Sequence, residues 1–541
     1  MPVLAGWLTG EQVPAEMIEQ VLRTMETVLG RHGGQPARNV QPGAGILAIA
    51  DSAFATRQRL EPPVLDWSPD RRTLVYRRPL SGAHPLYYIE DWPAHGNLLF
   101  ASEIKALFAA GAPRRLHLPA LDALLRYGFI PAPWTAFQDI HVVPAGSLLR
   151  WQRSKTIVNT AIDYHFEAPL SPDNTLEQFH TLLDSTVDAL LPPHDQFVAL
   201  TRANSSSALA LALAAQHTTT PFTVATLGYK KFAIQETWDR VEQFADKYQC
   251  PFLAIEGVDQ PDFWLATLNG LEAPCVDSRP LLWHQLLHTV SEQTGARVAL
   301  TGQGATTLTG ASLRRFEQAL RASSNEREAG EHDILREYAL LISSSSLLAT
   351  TRLWSAEARQ LLEQGQSWEE TLHARKLARQ AEKFPREQQR WHYLDLHLRL
   401  SDQLIGPIQQ LATAERMALR SPYLTPDVMQ MLVRLPTSQE DDTPGLNMID
   451  MLAHKYVPDE LLRGQNGRPQ GIAPTESLLH VEDSELLQQV LSPEAVRAMG
   501  IFEPGIVQEV LSRDGQMGVA SRELLLVFTT QLLCKLFEVG I

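Results

Sequence analysis

From Phe197 to Gln216 the chain reads FVALTRANSSSALALALAAQ, and its reactive side chains sit in the middle of that stretch. Thr201, Arg202, Asn204, Ser205 and Ser206, with Ala203 among them, put hydroxyls, an amide and a guanidinium between an apolar run (Phe197 to Leu200) and an Ala/Leu run (Ser207 to Gln216). We read these as a buried strand, a tight turn from Thr201 to Ser206 and a helix from Ser207. A strand, a small-residue turn and a helix in that order place backbone N–H groups at a helix N-terminus facing the ends of parallel strands, where such folds take anions. Asn and Ser at a turn are equally ordinary helix caps. Other reactive groups are more dispersed. His84, His284 and His288 form no triad with a nucleophile, and His284 and His288, one helical turn apart, lack a third metal ligand, so a packed or solvated helix face is expected. Cys250, Cys275 and Cys534 are widely spaced, show no metal-binding pattern and read as buried reduced thiols.

The elements that must hold this turn divide the chain. At 541 residues it exceeds the size at which one core stops growing, so two domains are expected. Up to residue 165 short strands dominate: Leu74 to Tyr76, Pro85 to Ile89, Asn97 to Phe100 and Ala145 to Trp151, with helices at Glu103 to Ala110 and Leu118 to Tyr127. The Pro-rich segment Ala168 to Asp173 reads as a linker, giving domains over 1–165 and 174–541. Behind it, strands at Phe197 to Leu200, Phe222 to Leu227 and Arg297 to Leu300 alternate with helices, the pattern of a parallel sheet with crossover helices. From Leu335 onward the spacing is almost wholly helical, and the one low-complexity tract is Ser343 to Ser346.

Composition narrows the partners. A net charge of −15, from 62 acidic and 47 basic residues, disfavours nucleic acid, which needs clustered Lys and Arg. No apolar run is long enough to span a bilayer. Met1 to Thr9 lacks a basic segment followed by an apolar core, so a cytoplasmic setting is expected.

Several further segments, in matching order, resemble the asparagine-synthetase family. Arg77 to Tyr88 (RRPLSGAHPLYY) is similar to its RDPLGxKPLYY, Asn97 to Leu107 (NLLFASEIKAL) to its LLFASEIKALL, and Tyr127 to Pro133 (YGFIPAP) and Ile140 to Trp151 continue the likeness. Leu200 to Ser207 falls on the pyrophosphate loop LSGGxDSS, Thr301 to Ala311 (TGQGATTLTGA) on SGDGGDELFGG, Ala418 to Leu424 on ExRxPfL and Arg463 to Pro474 on RxKxGFxxP. The resemblance implies an α/β protein: a shortened N-terminal sandwich of the Ntn-hydrolase, class II glutamine amidotransferase type, then an adenine-nucleotide α-hydrolase-like synthetase domain with a helical tail. In the family the first domain frees ammonia from glutamine and the second adenylates a carboxylate for attack by an amine.

At the positions the resemblance assigns to that chemistry the residues have changed. The N-terminal nucleophile is a cysteine in MCGIAGW; here the position holds Pro2, which has neither thiol nor hydroxyl. The substrate-holding arginine has become apolar within Gly45 to Asp51, and roughly fifty residues between Asp51 and Leu65 are missing, NGEIYN among them. Relatives that form β-lactams also lack the cysteine and still adenylate, so the second site decides. There Arg202, Ala203 and Ser205 replace two glycines and an acid, which closes the backbone approach to phosphate. Gln303, Thr306 and Thr307, around Gly304, replace the acids of the second Mg²⁺ segment, and neutral amides and hydroxyls are poor ligands for a hard divalent ion. Ala418 stands for the acid/base glutamate beside a retained Arg420, and Gln465 for the charge-stabilising lysine beside a retained Arg463. Glu236 and Asp277 fall near the family's nucleotide or substrate, although isolated carboxylates at helix starts are usually solvated or capping. Removing any one such electrostatic interaction costs about 2 to 4 kcal/mol at a transition state.

The expectation is therefore a pseudo-synthetase without glutaminase or adenylating activity, with no metal site and with ATP and Mg²⁺ binding lost. It would act as a binding or scaffolding subunit beside a protein partner, an active paralogue or pathway enzyme, in the making of a modified peptide or other natural product, as the family's β-lactam and lasso-peptide macrolactam synthetases suggest. A small-molecule or peptide ligand is the other partner considered. The rivals are a divergent ATP-dependent amide- or lactam-forming synthetase using Arg202, Ser205, Gln303 and Glu236, and an ATP-independent cyclisation or rearrangement in the old substrate cavity. Scaffolding predicts a side-chain-filled pocket and a large apolar surface patch; the enzyme readings predict an open polar cavity between the domains.

Overall fold

The computed structural model describes residues 3–10, 12–50, 55–58, 64–166, 175–194, 196–202, 204–228, 235–257, 261–313, 333–342, 352–434, 444–462, 485–517 and 520–540, with backbone only at 32, 235–236, 261–262 and 444–447. The N-terminal part is a sandwich of two antiparallel sheets. One holds, in spatial order, Gln35–Gln41, Ala44–Ala50, Val3–Leu8, Leu98–Ala101, Tyr87–Glu90 and His141–Val142; the other holds Lys155–Thr160, Ser147–Gln152, Thr73–Arg77 and Leu65–Ser68. Period-two alternation sorts the side chains. On the central strand Leu4 and Leu8 turn toward Leu74, Tyr76 and Trp151 of the second sheet, while Val3, Ala5 and Trp7 turn to the helical face. On that face lies Ala15–Leu29, a helix that the sequence reading does not include. Its stripe of Ile18, Leu22, Met25 and Leu29 is buried, as i, i+4, i+7 spacing requires.

The second part carries a five-stranded parallel sheet ordered Phe252–Glu256, Thr223–Gly228, Val198–Leu200, Val298–Thr301 and Ala418–Arg420. In order of occurrence that is 3-2-1-4-5, a doubly wound sheet. The last strand is a correction to the all-helical reading beyond Leu335: three residues add to the sheet edge beside Val298 to Leu300. Helix Ser205–Gln216 is buried along most of its length, which its Ala/Leu composition permits. Helices then build the remainder, and the C-terminal Arg522–Phe537 returns to the N-terminal part, its Leu524, Phe528 and Phe537 sharing one core with Leu99, Phe108 and Phe137. The linker segment 168–173 and the serine tract 343–346 lie outside the described residues. No helix among the described residues is long and apolar enough to cross a membrane.

Candidate functional site

Strands Val198–Leu200 and Val298–Thr301 are parallel neighbours, and strand order reverses between them. The C-terminal ends of two such strands form the crevice in which open α/β sheets bind ligands. Here that crevice opens into a cavity of about 720 Å³, walled on one side by residues following these strands and on the other by the N-terminal sandwich. Among the described residues, side chains do not fill this space.

The turn after the first strand closes on itself. Asn204 caps the helix, its Oδ1 accepting from the Ser207 backbone N–H at 2.9 Å and from the Ser207 hydroxyl at 2.7 Å. The Ser206 hydroxyl donates to the same oxygen at 3.1 Å, and Thr201 Oγ1 lies 2.7 Å from Ser207 Oγ. This cap starts the helix at Ser205, two residues before the expected Ser207. Gly302 fits against that start with nothing to spare: a Cβ there would lie 2.4 Å from Ser207 N. Gly304, at φ +91°, sits under Leu424. The Ser421 hydroxyl donates to Gln303 O at 2.7 Å and the Tyr423 hydroxyl to Ser206 O at 2.9 Å, tying three separate segments together.

Thr201, Arg202, Asn204, Ser206, Gln303, Gly304, Thr306, Thr307 and Asp277 all line the cavity. Surrounding protein holds the Arg202 guanidinium below its ordinary range by desolvation. Ser205 is half-buried at the helix start and is not in the cavity wall. Ala418 and Arg420 depart from expectation: neither lines the cavity. Arg420 points to the domain boundary, donating to the carbonyls of Leu190 and Ala55, and burial lowers its pKa to about 10. Glu236 belongs to helix Gln235–Lys247, where only its backbone is described. Pro2, Ala203, Arg463 and Gln465 lie outside the described residues.

One stretch of wall has no counterpart in the sequence reading. Arg399–Ile405 is a π-helical turn, with the Gly406 N–H bonding back to Ser401 O. Pro407, next in the chain, has no N–H with which to continue an α-helical ladder. The widened turn aims Arg399, Ser401, Asp402, Gln403 and Leu404 at the cavity, and single π-turns recur at functional sites. It also joins the two walls: Asp402 Oδ2 accepts from Ala132 N at 2.9 Å, Gln403 Nε2 donates to Gly128 O at 3.3 Å, and Gln410 donates to the Tyr87 hydroxyl. Pro407, just after the turn, is the one sequence signal near it.

Would a nucleotide with its metal fit? The described carboxylates of the wall are Glu272, Asp277 and Asp402, and each is engaged within the protein. Glu272 accepts from the N–H groups of Ile104 at 2.6 Å and Lys105 at 2.9 Å, and burial pushes its pKa up. Asp402 is likewise pushed up by burial and takes the Ala132 and Ser401 bonds. Burial alone would raise Asp277 too, but a bidentate Arg279, at 3.0 and 2.6 Å, holds it below the usual carboxylate range. At the turn itself only hydroxyls, amides and Arg202 face the space. Each described carboxylate of the wall is thus held by a neighbouring group of the protein.

Outside the cavity, the two histidines share one carboxylate: His284 Nε2 lies 2.8 Å from Glu415 Oε1 and His288 Nδ1 lies 3.0 Å from Oε2. Among the described residues no three His, Cys, Asp or Glu side chains gather as a metal site. The cysteines are buried, and burial raises the Cys534 thiol to about 12.

With this geometry in hand, the chain can be set beside known proteins. The Asparagine synthase family model matches residues 205–535, and that of the Glutamine amidotransferase domain matches 64–162. Among solved structures, the NMN synthetase from Francisella tularensis is similar over 42% of this chain and 94% of that one, at 14% identity and a TM-score of 0.20. No curated protein matches.

Proposed function

The chain belongs to the asparagine synthase family, and from that premise we propose that it is a member without glutaminase or adenylating activity that binds a small ligand in the cavity between its two parts. One observation carries this reading: the cavity persists, yet every described carboxylate in its wall is tied to a neighbouring group of the protein. A nucleotide enzyme needs acids free to hold metal. We extend the reading to a biosynthetic pathway for a modified peptide or other natural product, in which this subunit works beside an active synthetase as protein partner. Among the described residues the exposed large apolar side chains are Met17, Ile157, Ile162, Leu340, Leu361, Leu372, Met451, Met517 and Leu536.

The test is isothermal titration with Mg²⁺·ATP, of the native protein and of the triple variant Arg202→Gly, Ala203→Gly, Ser205→Asp. No heat from the native protein is expected. Micromolar binding by the native chain would overturn the reading and favour the divergent amide- or lactam-forming synthetase, to be followed by pyrophosphate release with candidate carboxylates. The open cavity is the observation on that rival's side, and it serves an ATP-independent cyclisation equally.

A further inference from the structure

The two walls of the cavity differ in kind. After the parallel strands it is hydroxyl, amide and one guanidinium: Thr201, Asn204, Gln303, Thr306 and Arg202. Across from them the N-terminal part presents Tyr87, Phe129, Ile130, Trp134 and Val142. Several polar atoms near this second wall are bonded within the protein. The Tyr87 hydroxyl is held by Gln410, Ala132 N by Asp402, Ala132 O by Trp368 Nε1 at 3.0 Å, and Gly128 O by Gln403. Arg78 and Thr135, the polar side chains of this wall, are bonded to backbone carbonyls of Gly82, Val143, Phe137 and Ile140, and the other side chains named here offer ring and methyl surface. Phe129 and Trp134 are 4% and 8% exposed, so they are locked by packing and not free to swing away. Ordered water needs two to four polar partners, and this half offers few, so its favoured occupant is an apolar group.

We propose that this half is a binding subsite for an aromatic or branched aliphatic group, and that the ligand of the cavity is an amphipathic small molecule. Its apolar body lies on Phe129, Ile130 and Trp134; its polar head faces Thr201, Asn204 and Gln303. The volume, about 720 Å³, lies within the range of about 300 to 1,000 Å³ typical of sites that enclose such ligands. On this assignment the N-terminal part, having lost its nucleophile, is kept as half of a binding site. The proposal rests on the cavity being a ligand site, and its test separates the two.

The probe is 8-anilinonaphthalene-1-sulfonate, whose fused rings and sulfonate resemble the two ends of such a ligand. It is titrated into the full chain with excitation through tryptophan, since Trp134 and Trp283 both line the cavity. One saturable site with strong energy transfer is expected. Ile130→Asp, at a half-buried wall position, weakens it at least tenfold, and Ile130→Trp, which fills the space while staying apolar, weakens it as well. Leu372→Asp, on an exposed helix start outside the cavity, leaves it unchanged. Unaltered affinity in both Ile130 variants, with loss in Gln303→Trp, overturns the apolar subsite and keeps the ligand site. Binding lost only in Leu372→Asp overturns both.

Discussion

Two irregular turns wall the same cavity, and they are built on opposite principles. The turn from Thr201 to Asn204 is neutral apart from Arg202 and satisfies itself through one amide, whose oxygen takes a backbone N–H and two hydroxyls. The π-turn from Arg399 to Ile405 is charged and satisfies itself through ion pairs. Arg399 makes two bonds of 2.6 Å to Asp395, a carboxylate with no solvent exposure that also accepts from the Tyr338 hydroxyl at 2.9 Å, and Asp402 stands 3.9 Å from Arg78. The first turn is set up with local bonds. The second takes part in joining the two parts of the molecule, through Asp402 to Ala132 and Gln403 to Gly128. Changes at the π-turn should therefore act on the stability of the whole, and changes at the capped turn should stay local.

The largest effect is expected from Asp395→Ala. It leaves a buried guanidinium without its carboxylate and removes the Tyr338 acceptor, a loss of about 3 to 5 kcal/mol read as a fall in the urea midpoint. A loss under about 1 kcal/mol would erase the contrast between the turns. Next comes Gly302→Ala. The added Cβ meets backbone of Ser206 and Ser207 at 2.7 and 2.4 Å, and backbone cannot step aside as a side chain can. About 1 to 3 kcal/mol is expected, as for other overpacked sites, and an unchanged melting temperature would show that the two segments are less tightly joined than they look.

These two positions also mark what sequence could and could not reveal. The turn that Gly302 packs against was legible because strand, turn and helix follow one another locally, and the pattern Phe197 to Gln216 encodes all three. Even there the start of the helix was misplaced by two residues, because Asn204 acts as a cap and the reading had left it inside the turn. The cavity's other wall was not legible. Trp391 to Ala414 has unbroken helical character, and only Pro407 hints that the ladder widens. Nor does any local pattern announce that Phe129 and Trp134, in a strand-rich domain, will face Thr201 across a shared space, since that depends on how two separately encoded domains dock. The same holds for Arg420, whose bond to Ala55 O comes from the docking of the two domains.

A smaller effect is expected from Asn204→Ala, about 1 kcal/mol for a lost helix cap, confined to the start of Ser205–Gln216. Hydrogen exchange should show faster exchange at Ser207 N–H and little change at the 399–405 turn. Faster exchange at both turns would mean that they are one cooperative unit.

The smallest is a pH effect at Asp277, whose pair with Arg279 leaves each side chain 26% exposed and so partly screened by solvent. Its folded pKa lies below the ordinary value because Arg279 outweighs the opposing cost of burial. The unfolded chain therefore binds a proton first as the solution is acidified. The stabilisation from the pair is fully present above the unfolded value of about 3.9 and is lost as pH falls through the folded value. Asp277→Asn should thus be less stable than the native protein at pH 6 by urea unfolding, with the gap narrowing toward pH 3. Because Asp277 lines the cavity without carrying the join between domains, the same substitution should leave the Asp395→Ala loss unchanged when the two are combined. A double variant that departs from additivity by more than about 0.5 kcal/mol would show that the cavity wall and the charged turn are energetically one structure.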